Sequence, residues 1–142
     1  MVTLDDYFRA YDSEGGDWRK RYPLDMNPRL EANAERTVYL INQLLIAFGA
    51  WRKFVSGWRP PAYNAKTPGA SKTSLHMTCE AGDLEDNDGE LDDWCMSQEG
   101  EDTLKTLGLW HEHPSSTKGA NGEGWCHVQT RPPGSRNRHF YR

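Results

Sequence analysis

The chain has 142 residues, a mass of 16.3 kDa and a formal net charge of −4, with a pI near 5.7. That is enough for a single domain, 1–142, with one core, and the acidic balance argues against a general nucleic-acid binder. Hydrophobic residues make up only 36% and mean hydropathy is −0.88, so the six Trp and six Tyr must supply much of the burial.

No window approaches the about 18 consecutive apolar residues of a membrane span, so membrane insertion is not expected. The N-terminus, MVTLDDYFRAYDSEGG, has neither a basic n-region nor an apolar h-region, and the expectation is synthesis in the cytosol without a Sec signal. Three cysteines (Cys79, Cys95 and Cys126) are an odd number, which fits reduced thiols better than a disulfide framework.

The polar segment 1–26 has no clear period, although TLDDYF can open a short helix capped by Thr3. Asn27-Pro28 then makes a strong helix start, with Asn as the cap and Pro in the first turn. Leu30, Ala34, Val38, Ile41, Leu44, Leu45 and Phe48 recur at three- and four-residue steps, which predicts an amphipathic helix over 28–48 ending near Gly49. Phe54-Val55-Ser56 reads as a short strand, and Gly57 begins a turn that Pro60-Pro61 finishes. Arg59 lies in that turn, either as a salt-bridged surface cation or as an anion clamp at a site mouth.

TPGASKTS (67–74) is a loop by composition, AGDLED (81–86) a strand with Ala81 and Asp83 on one face, and NDG (87–89) a turn. A second helix is expected from Leu91 to Leu107, interrupted around Glu99-Gly100. LGLWHE (107–112) and GWCHVQT (124–130) read as two strands joined by a Gly/Ser/Pro-rich rim loop. The closing run 131–142, RPPGSRNRHFYR, is locally basic and reads as a solvated tail. Helices followed by short strands make an α+β class with a small mixed or antiparallel sheet and flanking helices.

His76 and Asp83 stand seven positions apart, so on one regular strand they would face opposite ways. They converge only if His76 lies in the loop and the chain turns before the strand of Asp83. Alternation in GWCHVQ puts Trp125, His127 and Gln129 on one face, with Cys126 and Val128 on the other. Two His and one carboxylate leave a coordination position open, the pattern of a catalytic zinc site rather than a closed structural one. His111 and His113 flank Glu112 and are rival ligands. His139 reads as part of the tail, and spacing by itself does not choose among these sets.

Ser74, His76, Ala81 and Asp83 match the Ser-x-His-x-x-Gly-x-Ala-x-Asp signature of the zinc D-alanyl-D-alanine carboxypeptidases and dipeptidases. Phage L-alanyl-D-glutamate endopeptidases belong with them, and the hedgehog signalling domain shares their fold. Trp125-x-His127 resembles the family's second motif, and SGWRP (56–60) its upstream Ser-Gly-x-Arg segment. The three segments come in the family's order and cover about residues 36–130. The layout is most similar to small phage-encoded members.

The resemblance implies a hedgehog/DD-peptidase-like fold with one zinc ion held by His76, Asp83 and His127. It implies Arg59 as a substrate-holding or carbonyl-polarising catalytic group, and Ser74 as support for the His76 loop or a peptide contact. The implied activity is hydrolysis of peptidoglycan stem peptides, by a phage lysin or virion-associated enzyme that acts on the bacterial cell wall. A non-catalytic metal-binding module of a virion is the alternative. One position departs from the pattern: the motif's Gly is Cys79, which would distort a tight bend or, less readily, add a sulfur ligand.

A peptidase of this kind also needs a carboxylate to take the proton of the attacking water and pass it to the leaving amine. Glu123 is four residues before His127 but sits in a Gly-rich loop, whereas Glu112 ends a strand and would fall opposite His127 if the two strands pair. Glu112 is favoured, because a strand end holds its geometry better. Trp58, Tyr63 and Trp110 are candidates to line a groove, with core packing the commoner role for such residues. Cysteine chemistry through Cys126 and His127 is disfavoured, because strand alternation points them apart.

Overall fold

The computed structural model describes residues 1–10 and 16–142; residues 11–15 of the polar N-terminal segment lie outside the description. Thr3 caps α1 (Leu4–Arg9) as expected and forms a reciprocal capping box with Asp6. A single turn, α2 (Trp18–Arg21), follows. The long helix α3 (Pro28–Phe48) has the predicted bounds, with the Asn27 side chain accepting from Leu30 N and Gly49 left-handed at the C-terminus. Its apolar stripe, including Ala34, Val38, Ile41 and Leu45, is buried.

Among the described residues, five strands form one mixed sheet: β1 (Phe54–Ser56), β2 (Ala81–Glu85), β3 (Trp110–Glu112), β4 (Trp125–Gln129) and β5 (His139–Phe140), in the order β1-β2-β4-β3-β5. All neighbours run antiparallel except β3 and β5. A one-turn helix, α4 (Pro61–Asn64), lies between β1 and β2. Leu84, Cys126, Val128 and His111 face the helices and are all at 0% exposure. Alternation then forces Asp83, His127 and Glu112 onto the other face.

Three expectations need correction. The helix expected over 91–107 is two, α5 (Glu90–Met96) and α6 (Gln98–Leu107), and the break falls at Ser97 rather than at Glu99-Gly100. Ser97 is extended and its hydroxyl caps α6 at Gly100 N. Gly100 stays helical; a Cβ there would sit 1.9 Å from the Trp94 carbonyl oxygen, so this glycine lets α6 press on the end of α5.

The last strand but two, expected from Leu107, begins at Trp110, because Leu107 closes α6 and Gly108 adopts a φ of 70° to cap it. Finally, the basic tail is not simply solvated. His139 and Phe140 pair with β3, and the Arg138 guanidinium lies 3.8 Å from the Trp110 ring centroid.

Candidate metal centre

Asp83 and His127 are direct cross-strand partners on β2 and β4. The β3 register, Trp110 to Gln129 and His111 to Val128, carries Glu112 to the level of His127. A row of Asp83, His127 and Glu112 therefore crosses three adjacent strands, at the roughly 5 Å spacing of same-face neighbours.

His76 enters from outside the sheet. Its loop is fixed on the β1 turn, with Arg59 N donating to the His76 carbonyl at 3.1 Å and His76 N donating to Ser74 Oγ at 3.3 Å. Cys79, at φ 59°, turns the chain from that loop into β2. This is how a seven-residue separation converges.

The ring nitrogens are set by outer partners. His76 Nδ1 is 2.8 Å from the Gly57 carbonyl, so Nδ1–H donates there and Nε2 carries the lone pair. Gln129 Nε2 donates to the Arg131 carbonyl at 2.9 Å, which aims its Oε1 at His127 Nε2, 3.0 Å away. His127 Nε2–H donates to that oxygen and Nδ1 faces Asp83. Asp83 Oδ1 is 2.7 Å from His127 Nδ1, and Oδ2 is 3.3 Å from His76 Nε2. Once His127 gives up the proton it shares with Asp83, each imidazole shows a lone pair to the same point, the arrangement by which outer partners orient metal ligands.

The donors also suit a cation. The three ligand atoms lie within 4.8 Å of one another. His76 is 2% exposed, and its Nε2 is buried without a hydrogen-bond partner, a state that a bound ion would relieve. The group can hold a divalent metal ion.

Electrostatics are as expected for buried donors in contact. Burial works to raise the Asp83 carboxyl, but the His76 and His127 rings beside it outweigh that effect and hold the pKa far below the usual carboxylate range. For His127 burial works downward, and Asp83 and Glu112 overcome it, so the pKa is raised. Burial dominates at His76 and lowers its pKa, with Arg59 adding to the effect.

Arg59, Ser74, His76, Asp83, Glu112 and His127 all line one cleft of about 1190 Å³. Glu112 is 7% exposed, and burial raises its pKa, opposed by His127 and supported by Asp83. Glu123 is exposed on the same cleft, with its carboxylate folded over its own loop; a Cβ on Gly119 would meet Glu123 Oε1 at 2.2 Å.

The other candidates fall elsewhere. His111 is on the opposite face of the sheet, and His113 leaves β3 to stack on Tyr141 at 4.4 Å. Cys79 is in the core, where burial pushes its thiol up, and Cys126 is buried behind His127. Trp58, Tyr63 and Trp110 do not line the cleft: Trp58 is in the core, Tyr63 packs on Trp18, and Trp110 lies under Arg138.

Sequence reasoning missed the parts played by Gly57 and Gln129. Gln129 was recoverable from its place two residues after His127 on one strand face. Gly57 offers a carbonyl, which no side-chain pattern reveals.

No protein-family model, no curated protein and no solved structure matches this chain at a significant level.

Proposed function

We propose that the protein is a zinc-dependent peptidase that hydrolyses peptide bonds in the stem peptides of bacterial peptidoglycan, on a hedgehog/DD-peptidase fold. In this reading it is a phage lysin or a virion-associated cell-wall hydrolase. The observation that carries the proposal is the row of Asp83, His127 and Glu112 across three strands, with the orphaned Nε2 of His76 in the same site. The match of Ser74, His76, Ala81, Asp83 and Trp125-x-His127 to the family's motifs narrows this open metal site to that chemistry and that substrate.

His76, Asp83 and His127 would hold the ion, which when bound supplies Lewis acidity for the scissile carbonyl and for water activation. Glu112 takes a proton from the attacking water and returns it to the leaving amine. Its burial favours the proton-accepting role near neutral pH, because a raised pKa brings a carboxylate closer to the operating range. Arg59 neutralises the oxyanion that develops as the carbonyl is attacked. Ser74 holds the His76 loop through the His76 amide.

The test is hydrolysis of purified peptidoglycan by the metal-loaded protein and by Glu112→Gln and Glu123→Gln. Glu112→Gln is expected to lose about 10²–10⁴-fold in rate while keeping its metal, and Glu123→Gln to stay near wild type. Unchanged hydrolysis in both variants removes the acid–base assignment, and a wild-type protein that binds metal without any hydrolysis leaves a binding module.

A further inference from the structure

The helix-facing side of the sheet carries a second convergence of ligating groups, unused by the proposed reaction. Cys126 on β4, His111 on β3 and Cys95 on α5 are all at 0% exposure. Their two sulfurs and one ring nitrogen lie within 4.8 Å of one another. Asp92, one turn before Cys95, places Oδ1 2.7 Å from His111 Nε2. On the other side of the ring, His111 Nδ1 is 2.9 Å from His139 Nδ1, and His139 Nε2 is 3.2 Å from Glu101 Oε1.

Buried cysteines by themselves pack as small apolar residues. The imidazoles beside them do not fit that account. From Asp92 through His111 and His139 to Glu101 there are three polar gaps, whereas two neutral imidazoles carry one N–H each. However those two hydrogens are placed, one gap is left with lone pairs facing each other. His139 Nε2 is indeed buried without a hydrogen-bond partner. Its inner end, at Asp92 and His111, lies in the core, where unmatched polar groups are costly unless a cation, a proton or a metal ion, completes them.

We propose that Cys95, Cys126 and His111 form a second, structural metal site for a thiophilic divalent ion, zinc foremost, which ties α5 to β3 and β4. Two sulfurs and an imidazole are the donor set such ions select. Zinc at about 2.3 Å from sulfur and about 2.0 Å from nitrogen sets its donors about 3.5–3.8 Å apart, so a closure on the order of 1 Å completes the site. Asp92 and His139 stand one at each nitrogen of His111, so a further donor adjoins whichever nitrogen takes the ion. Cys126 and His127, consecutive on β4, thereby serve two metals on opposite faces of one sheet.

The two centres are spectroscopically distinct, because His76, Asp83 and His127 include no sulfur. The 142-residue protein is stripped of metal under reducing conditions and titrated with Co²⁺ alone. Two equivalents are expected to bind, with a near-ultraviolet thiolate-to-cobalt charge-transfer band. His127→Ala should bind one equivalent and keep the band. Cys126→Ser should lose both the band and one equivalent while retaining the sulfur-free cobalt spectrum. Absence of the band in reduced wild-type protein overturns the proposal, as does a Cys95–Cys126 disulfide in the protein as purified. The wild-type spectrum decides the question even if Cys126→Ser fails to fold.

Discussion

Cys79 holds a φ of 59° at 0% exposure, with its carbonyl accepting a 2.7 Å hydrogen bond from Thr37 Oγ1. A left-handed conformation costs a residue with a Cβ about 1–2 kcal/mol, a penalty that glycine escapes. The backbone here is one that glycine adopts without strain, and the side chain adds a buried thiol to the core. Cys79→Ala loses the sulfur and keeps the strain, whereas Cys79→Gly loses both. Denaturant unfolding is expected to rank Cys79→Gly at least as stable as Cys79→Ala, the reverse of the usual order for a buried position.

At Glu112 the proposed reaction and stability pull apart. Its folded pKa is raised, so ionising it costs more in the folded chain than in the unfolded one. That penalty is absent below the unfolded pKa and grows as pH rises toward the folded pKa. Glu112→Gln removes the penalty, and thermal melts at neutral pH should show no loss of stability even as hydrolysis collapses.

Among elements, the β1 turn bears most directly on the metal centre. An ideal Cβ on Gly57 would lie 2.0 Å from the Tyr7 carbonyl oxygen, so the turn sits against α1 with no room for a side chain. The Gly57 carbonyl is also the acceptor that orients His76. Gly57→Ala should destabilise the fold by about 2 kcal/mol or more, within the range for overpacking, and weaken metal binding with it. Gln129→Leu separates the two effects. It removes the acceptor of His127 Nε2 on the strand's cleft side, and an affinity loss of about 10–100-fold is expected with little change in melting temperature. Competition with a chromogenic chelator reads both variants; unchanged affinity in Gln129→Leu would mean that Asp83 alone orients His127.

For the whole molecule, metal binding at the candidate centre and the fold are linked through protons. His127 has a raised pKa without metal and must lose a proton to ligate, so metal affinity should fall as pH drops through a point above the ordinary imidazole range. His76, whose pKa is lowered, adds its own competition only at more acidic pH. Metal that binds only the folded state stabilises it by about 2.7 kcal/mol at a hundredfold excess over Kd. Chelation should accordingly lower the melting temperature at neutral pH, with the difference shrinking as pH falls. A melting temperature indifferent to chelator across that range would argue against a bound ion in the folded protein. Among the described residues, no helix is long and apolar enough to cross a membrane.

Local rules settled a good part of this chain in advance. Asn27-Pro28, a stripe at helical spacing and Gly49 wrote α3 to the residue, because caps and periodicity act within one or two turns. Alternation put His127 and Cys126 on opposite faces for the same reason, since strand pleat is a property of consecutive residues. Other features were invisible locally. The two-residue strand β5 has no period to read and exists because β3 offers an open edge. Gly100 looked like a helix breaker until α5 was packed against it. Ligand choice between His127 and His111 was likewise a matter of which side of the sheet the helices cover. That is decided by burial of distant surfaces against one another, and only the tertiary structure holds that information.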